Sequence, residues 1–154
     1  MPQFTKILCS VDFDENSNPA LQIATELAQE RKANLHLLHV VAMPPGPEVA
    51  LAFGKMEAAA RTKLDRLARQ KINGKAHYEV TVMMGDPGVE VLHAAKRLGA
   101  DLIVMATHGR KGLRRLVLGS VAEQVVREAQ CPVLTVRPQE ARAMSLRSRT
   151  KRLK

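Results

Sequence analysis

The chain has 154 residues, 45 % hydrophobic and only 3 % aromatic with no Trp, and a formal net charge of +9. That length points to one domain with a real core, and the hydrophobic share is that of a globular chain. No apolar run approaches the roughly 20 residues that a bilayer span needs.

Phe4 to Val11 reads as a strand, with Ile7, Leu8, Cys9 and Val11 apolar. Asp12 to Pro19 is a turn into a helix, because Asn and Ser are good caps and Pro is tolerated in a first helical turn. Ala20, Leu21, Ala24, Leu27, Ala28 and Arg31 follow helical spacing. Leu35 to Val41 is a second strand, broken by Met43-Pro44-Pro45-Gly46-Pro47. A longer helix follows, with Val49, Ala52, Met56, Ala59, Ala60, Leu64, Leu67 and Ala68 on one side and Asn73-Gly74 at its end. Tyr78 to Met83 alternates as a third strand. Asp86 caps the next helix, Pro87 takes its first position, Val91, Leu92, Ala95 and Leu98 form its buried stripe, and Gly99 closes it. Leu102 to Met105 is a fully apolar fourth strand. Val121, Ala122, Val125, Val126 and Ala129 mark a last helix, and Pro132 to Val136 a fifth strand with Pro where a strand tolerates it.

The order β-α-β-α-β-α-β-α-β predicts an α/β fold, a parallel sheet with helices on both faces and right-handed crossovers. A core of Val, Leu, Ile, Ala and Met suits such a sheet. Residues 1–137 read as the folded domain. Residues 138–154 hold six Lys/Arg against one acid, which is +5 of the +9, with few large apolar residues. They read as a basic, disordered tail, either a solubilising end or a contact for nucleic acid, a membrane surface or another acidic partner. The N-terminal stretch lacks the layout of a signal peptide, so a cytoplasmic protein is expected.

The stretch from Ala106 to Ser120 carries the best lead on function. A basic loop with small residues, set between a buried strand and a helix N-terminus, is where α/β proteins hold anions. Gly109 and Gly119 allow close approach of backbone to a phosphate, and the Ser120 hydroxyl can bond one. Ser120-Val121-Ala122-Glu123 is also a capping box in which Ser120 starts the helix; the two roles are compatible. Arg110, Lys111, Arg114 and Arg115 either screen a polyphosphate or form a solvated face. Asp12, ending the first strand, is either a nucleoside ligand or a turn residue.

Other chemistry is poorly represented. His36 and His39 lie three apart on one strand and face opposite sides, so they make no metal pair, while His108 lies in the loop. Cys9 and Cys131 have no C-x-x-C spacing and read as small buried hydrophobes. No P-loop of the G-x-x-x-x-G-K-[ST] type, no G-x-G-x-x-G after a strand, no G-x-S-x-G elbow and no serine triad is present. A phosphate-binding loop without a base, nucleophile or metal cluster argues for binding over turnover.

Residues 3–137 resemble the universal stress protein family, through Ile7-Leu8-Cys9-Ser10-Val11-Asp12-Phe13, Leu37-Leu38-His39-Val40 and above all Asp101 through Arg137. ATP-binding members show G-x2-G-x9-G-[ST]; here Gly109, Gly119 and Ser120 match, and Ala106 stands at the first glycine. The resemblance implies a single doubly wound sheet of order 3-2-1-4-5, a homodimer through the last strand, and ATP, with or without magnesium, at the carboxyl edge. Asp12 and the backbone of Val40 would meet the adenosine. Ala106, His108, Gly109, Arg110, Gly119, Ser120 and Val121 would line the ribose and phosphates. Asp14 stands where members often carry Ser, adding negative charge near the site. The function implied is that of a stress-response protein holding ATP as a signal or structural ligand; the alternative is an interaction module with no nucleotide, working through its dimer and its tail.

Overall fold

The computed structural model describes residues 3–14, 17–43, 49–107 and 118–137, with residues 49–51 in backbone only. Nine elements alternate along it: β1 (Lys6–Ser10), α1 (Asn18–Arg31), β2 (Asn34–Ala42), α2 (Val49–Ile72), β3 (Tyr78–Gly85), α3 (Pro87–Leu98), β4 (Leu102–Ala106), α4 (Ser120–Glu128) and β5 (Val133–Val136). The strands form one parallel sheet in the order β3-β2-β1-β4-β5, as the resemblance implied. From β1 the chain winds outward through β2 and β3, then returns to lay β4 against the other side of β1. The topological switch therefore falls between β1 and β4, where α/β sheets hold ligands beyond their carboxyl ends.

The period-2 pleat sorts the strand residues onto two cores. Ile7, Cys9, Leu35, Leu37, Leu102 and Val104 pack under α1 and α2. Leu8, Leu38, Ile103 and Met105 pack under α3 and α4 with Val91, Ala94, Ala122 and Val125. Cys9 is fully buried in the first core and Cys131 is half-buried beside the second, so only Cys9 fits the expectation of a buried thiol. Both are free.

The helix ends follow local chemistry. Asp86 accepts the Val89 amide at 3.0 Å, and Gly99, at φ 61°, closes α3 with its amide on the last turn. Asn73 and Gly74 end α2 with φ of 46° and 75°. Ser17 takes the cap position of α1 but caps nothing with its side chain; its hydroxyl donates to the Asp14 carbonyl at 2.7 Å. Buried Thr25, outside the expected stripe of α1, is satisfied by donating to the Leu21 carbonyl. At the amino edge Asp101 accepts from the Thr5 amide and hydroxyl, both at 2.8 Å, and ties β4's approach to the start of β1.

The expected stripe of α2 holds only in its second half. Leu64, Ala68 and Ile72 are fully buried, whereas Ala52 and Ala59 are exposed and Met56 is 40 % exposed. Length explains part of this. A helix of 24 residues runs about 36 Å, while the nine-residue β2 runs about 30 Å. About one turn of α2 is therefore more than the sheet can cover. The helix carries Lys55, Arg61, Lys63, Arg66, Arg69 and Lys71 against Glu57 and Asp65, and none of these cations has a carboxylate partner among the described residues. No helix among the described residues is long and apolar enough to cross a membrane.

Candidate functional site

The described part of the expected site gathers at the switch point. The β1–β4 register pairs Cys9 with Val104; carried onward, it brings Asp12 level with Thr107. Ala106, the last residue of β4, pairs with Val136 of β5. His108, Gly109 and Arg110, with the rest of residues 108–117, lie outside the described residues, as does the tail at 138–154.

Gly119 and Ser120 differ from the capping-box expectation. Gly119, not Ser120, is the cap residue of α4, in extended conformation at φ −60° and ψ 158°, and no side chain among the described residues caps this helix. Ser120 is the first helical residue, and Gly119 accepts the Glu123 amide at 2.9 Å through its backbone carbonyl. The shift of one residue frees the Ser120 hydroxyl from capping. It also leaves the first amides of α4 without a side-chain acceptor among the described residues, at the positive end of the helix dipole. Ser120 is exposed and Val121 half-buried. Gly119 donates to the Thr107 carbonyl at 2.7 Å, and Thr107 donates in turn to the Val136 carbonyl at 3.1 Å. The start of α4 is thus hydrogen-bonded to the end of β4, and through it to β5.

Asp12 is a turn residue, one of the two roles left open for it. Its Oδ1 accepts the Asp14 amide at 2.9 Å, closing an Asx turn. No other partner for this carboxylate occurs among the described residues, so Oδ2 is left to accept a ligand hydroxyl.

Val40 presents its backbone. The Val11 amide donates to the Leu38 carbonyl at 2.8 Å, the last link from the β1 side to β2. Amide and carbonyl of one residue in a parallel strand point the same way and alternate along it. Those of Val40, two residues on, thus face the gap left where the chain turns away at Asp12. The Val40 side chain packs into the α3/α4 core.

The histidines fall as the strand period requires. His36, 9 % exposed, faces the α3/α4 layer with its Nδ1 3.5 Å from Glu79. His39 faces the other layer, and its Nδ1–H donates to the Val11 carbonyl at 2.7 Å. Among the described residues no group of three His, Cys, Asp or Glu could hold a metal ion. An open groove of about 490 Å³ between the C-terminal ends of α3 and α4, lined by Leu92, Lys96, Ala100, Glu128 and Cys131, lies at the amino edge, opposite the residues above. There burial, and next the nearby Asp101 carboxylate, hold the Cys131 thiol above its ordinary range.

Sequence reasoning missed Phe13. It holds a left-handed backbone at φ 63°, its ring lies 4.2 Å from that of His39, and the Lys63 Nζ sits 4.6 Å above it. No local signal announces an aromatic at such a φ, since Gly, Asn and Asp are the residues enriched there.

Comparison with known proteins agrees with this fold. The family model described as "Universal stress protein family" matches residues 3–137. A universal stress protein of Methanocaldococcus jannaschii is 33 % identical over 142 residues, 87 % of this chain and 82 % of that protein. Among solved structures, a universal stress protein UspA from Lactobacillus plantarum superposes with a TM-score of 0.78 at 27 % identity, covering 89 % of this chain and all of that one. The universal stress protein of Archaeoglobus fulgidus solved in complex with dAMP has the same fold, with a TM-score of 0.61 at 18 % identity over 88 % of this chain and all of that one. With the family model matching residues 3–137 and the sheet order the one the resemblance implied, the chain belongs to the universal stress protein family.

Proposed function

We propose that the protein binds an adenine nucleotide, ATP, at the carboxyl edge of its sheet, as a signal or structural ligand with little or no hydrolysis. The observation that carries the reading is the opening of α4: a helix N-terminus without a side-chain cap among the described residues, fixed to the end of β4 and set across the switch point from Asp12. A fold neighbour that holds dAMP, from Archaeoglobus fulgidus, supports the ligand class.

The residues fit such a ligand. The first amides of α4, with the Ser120 hydroxyl, would take a phosphate, and its charge would meet the helix dipole. Asp12 Oδ2 would accept a ribose hydroxyl, since its partner oxygen already holds the turn. The amide and carbonyl of Val40 would hydrogen-bond the edge of the base, and Ala106 and Val121 would line the floor. His108, Gly109 and Arg110 complete the set by their place in the sequence motif. Asp12 engaged with its own turn suits holding a hydroxyl better than moving a proton, which favours a binding role. Magnesium would enter with the phosphates it bridges.

The wider reading is a cytoplasmic stress-response protein that pairs with a second copy through β5. That strand has a free edge among the described residues and leaves Leu134 37 % exposed. Native mass spectrometry of freshly purified protein, followed by calorimetric titration with ATP, tests both parts. A dimer that carries ATP or binds it at micromolar levels supports the reading. A nucleotide-free protein with no affinity overturns the ligand, and a monomer at micromolar concentration overturns the pairing.

A further inference from the structure

Phe13 occupies a conformation that an L-residue with a bulky side chain rarely adopts. Such strain persists only where the surroundings over-determine it, and here β2 and α2 supply them. The Phe13 ring packs at 36° against His39 of β2, with centroids 4.2 Å apart. The Lys63 ammonium of α2 stands 4.6 Å over the same ring, within the range of a cation–π contact. His39 is itself fixed, since its Nδ1–H donates to the Val11 carbonyl two residues before Phe13. Val11, His39 and Phe13 thus form a closed loop of contacts beyond the end of β1, and Lys63 covers the Phe13 ring from α2.

The strained residue lies between the two groups that meet in the Asx turn. Asp12 supplies the accepting oxygen and Asp14 the amide, at 2.9 Å, and the dihedrals of Phe13 decide whether they reach each other. A Phe released from its clamp would relax toward negative φ, and the Asp12 carboxylate would lose the amide that orients it. We propose that Phe13 is a positioning residue for the nucleotide site. Held by His39 and Lys63, it keeps the backbone left-handed so that Asp12 is locked by one oxygen and presents the other to the nucleoside. This rests on the nucleotide reading above for its functional half, while the locking of the turn stands on geometry alone. It also gives α2 a link to the site, through Lys63, from a helix whose buried contacts lie on the opposite layer from α4.

Two substitutions separate positioning from packing. Phe13→Ala removes the ring but keeps a Cβ that disfavours the left-handed form, whereas Phe13→Gly removes the ring and the Cβ together, so the turn can persist without a clamp. The measurements are hydrogen exchange of the Asp14 amide in the nucleotide-free protein and the affinity for ATP by calorimetry, with thermal melts to verify folding. For Phe13→Ala we expect Asp14 protection and ATP affinity each to fall about tenfold, the order set by the penalty of a left-handed L-residue. Phe13→Gly should recover most of both, and Lys63→Met should lose about two- to fivefold of each, the scale of one cation–π contact. Equal losses in Ala and Gly variants, or an unchanged Asp14 amide in Phe13→Ala, overturn the positioning role. Should the unsubstituted protein fail to bind ATP, the nucleotide reading falls, and with it the ligand half of the proposal, while the Asp14 exchange still decides whether Phe13 locks the turn.

Discussion

The amide of Gly119 donates to the carbonyl of Thr107 at 2.7 Å, which fixes the first turn of α4 directly to the end of β4. The bond means that the position of the helix N-terminus over the sheet edge is set by backbone alone. A side chain at 119 is then free to change the chemistry of that N-terminus without moving it.

Gly119→Asp should therefore stabilise the fold and weaken ligand binding together. An Asp at an extended cap position accepts an amide of the first turn and complements the dipole, for about 0.5–1 kcal/mol over Gly. The same carboxylate occupies those amides and repels phosphate. Paired melting curves and ATP titrations check this; a lowered melting temperature or undiminished affinity contradicts it.

Ser120→Ala should leave the melting temperature nearly unchanged, because this hydroxyl caps nothing. A capping Ser lost to Ala would cost about 1 kcal/mol instead. Affinity for ATP should drop about ten- to a hundredfold, the value of one hydrogen bond to a charged phosphate. A clear loss of stability would return Ser120 to the capping role.

Along α2 the effect of truncation should change sharply with position. Leu64→Ala removes a fully buried side chain from the α1/α2 core and should cost about 2–5 kcal/mol. Met56→Ala, at a side chain already 40 % exposed, should cost less than about 0.5 kcal/mol. Urea denaturation of both variants measures the contrast.

Burial pushes the Cys9 thiol from its ordinary 9.0 up to about 12. Below pH 9 the thiol is protonated in the folded and the unfolded chain, and the shift has no effect. Above it the unfolded chain releases the proton first, so stability falls with rising pH, by up to about 1.4 kcal/mol per unit until the folded thiol also ionises near pH 12. Cys9→Ala should show a shallower alkaline loss of stability between pH 9 and 11 than the unsubstituted protein. Equal slopes would mean that the thiol is not the group responsible.

The fold was largely legible because its signals are local and redundant. Alternation of periods named the elements, and Asp86, Gly99 and Asn73-Gly74 marked helix ends by the backbone chemistry they carry. Three features were not legible, each for a physical reason. Helical periodicity in α2 continues past the last strand residue it can cover, because a pattern records amphipathicity and not where the sheet stops. A Gly-Ser pair before a helix does not say which residue is the cap, and the hydrogen bond from Gly119 to Thr107 decides it. The left-handed Phe13 is imposed by His39 and Lys63, which lie 26 and 50 positions away. Within the candidate site, the motif named Ala106, Gly119 and Ser120 and the family resemblance named Asp12, Val121 and the backbone of Val40, and the fold gathers them at one edge. The strand alternation adds the direction in which the Val40 backbone groups point.

The cations of α2, without carboxylate partners among the described residues, have a kinetic consequence for the proposed anion site. The helix begins at the carboxyl edge, and at 0.1 M salt its field extends about 10 Å into solvent. An anion diffusing toward that edge is drawn inward before it touches anything, while one already seated is held by short contacts that salt screens little. Ionic strength should therefore act on the rate of arrival and leave the dwell time almost alone, so that this protein fills quickly in dilute buffer, slowly in brine, and empties at the same pace in both.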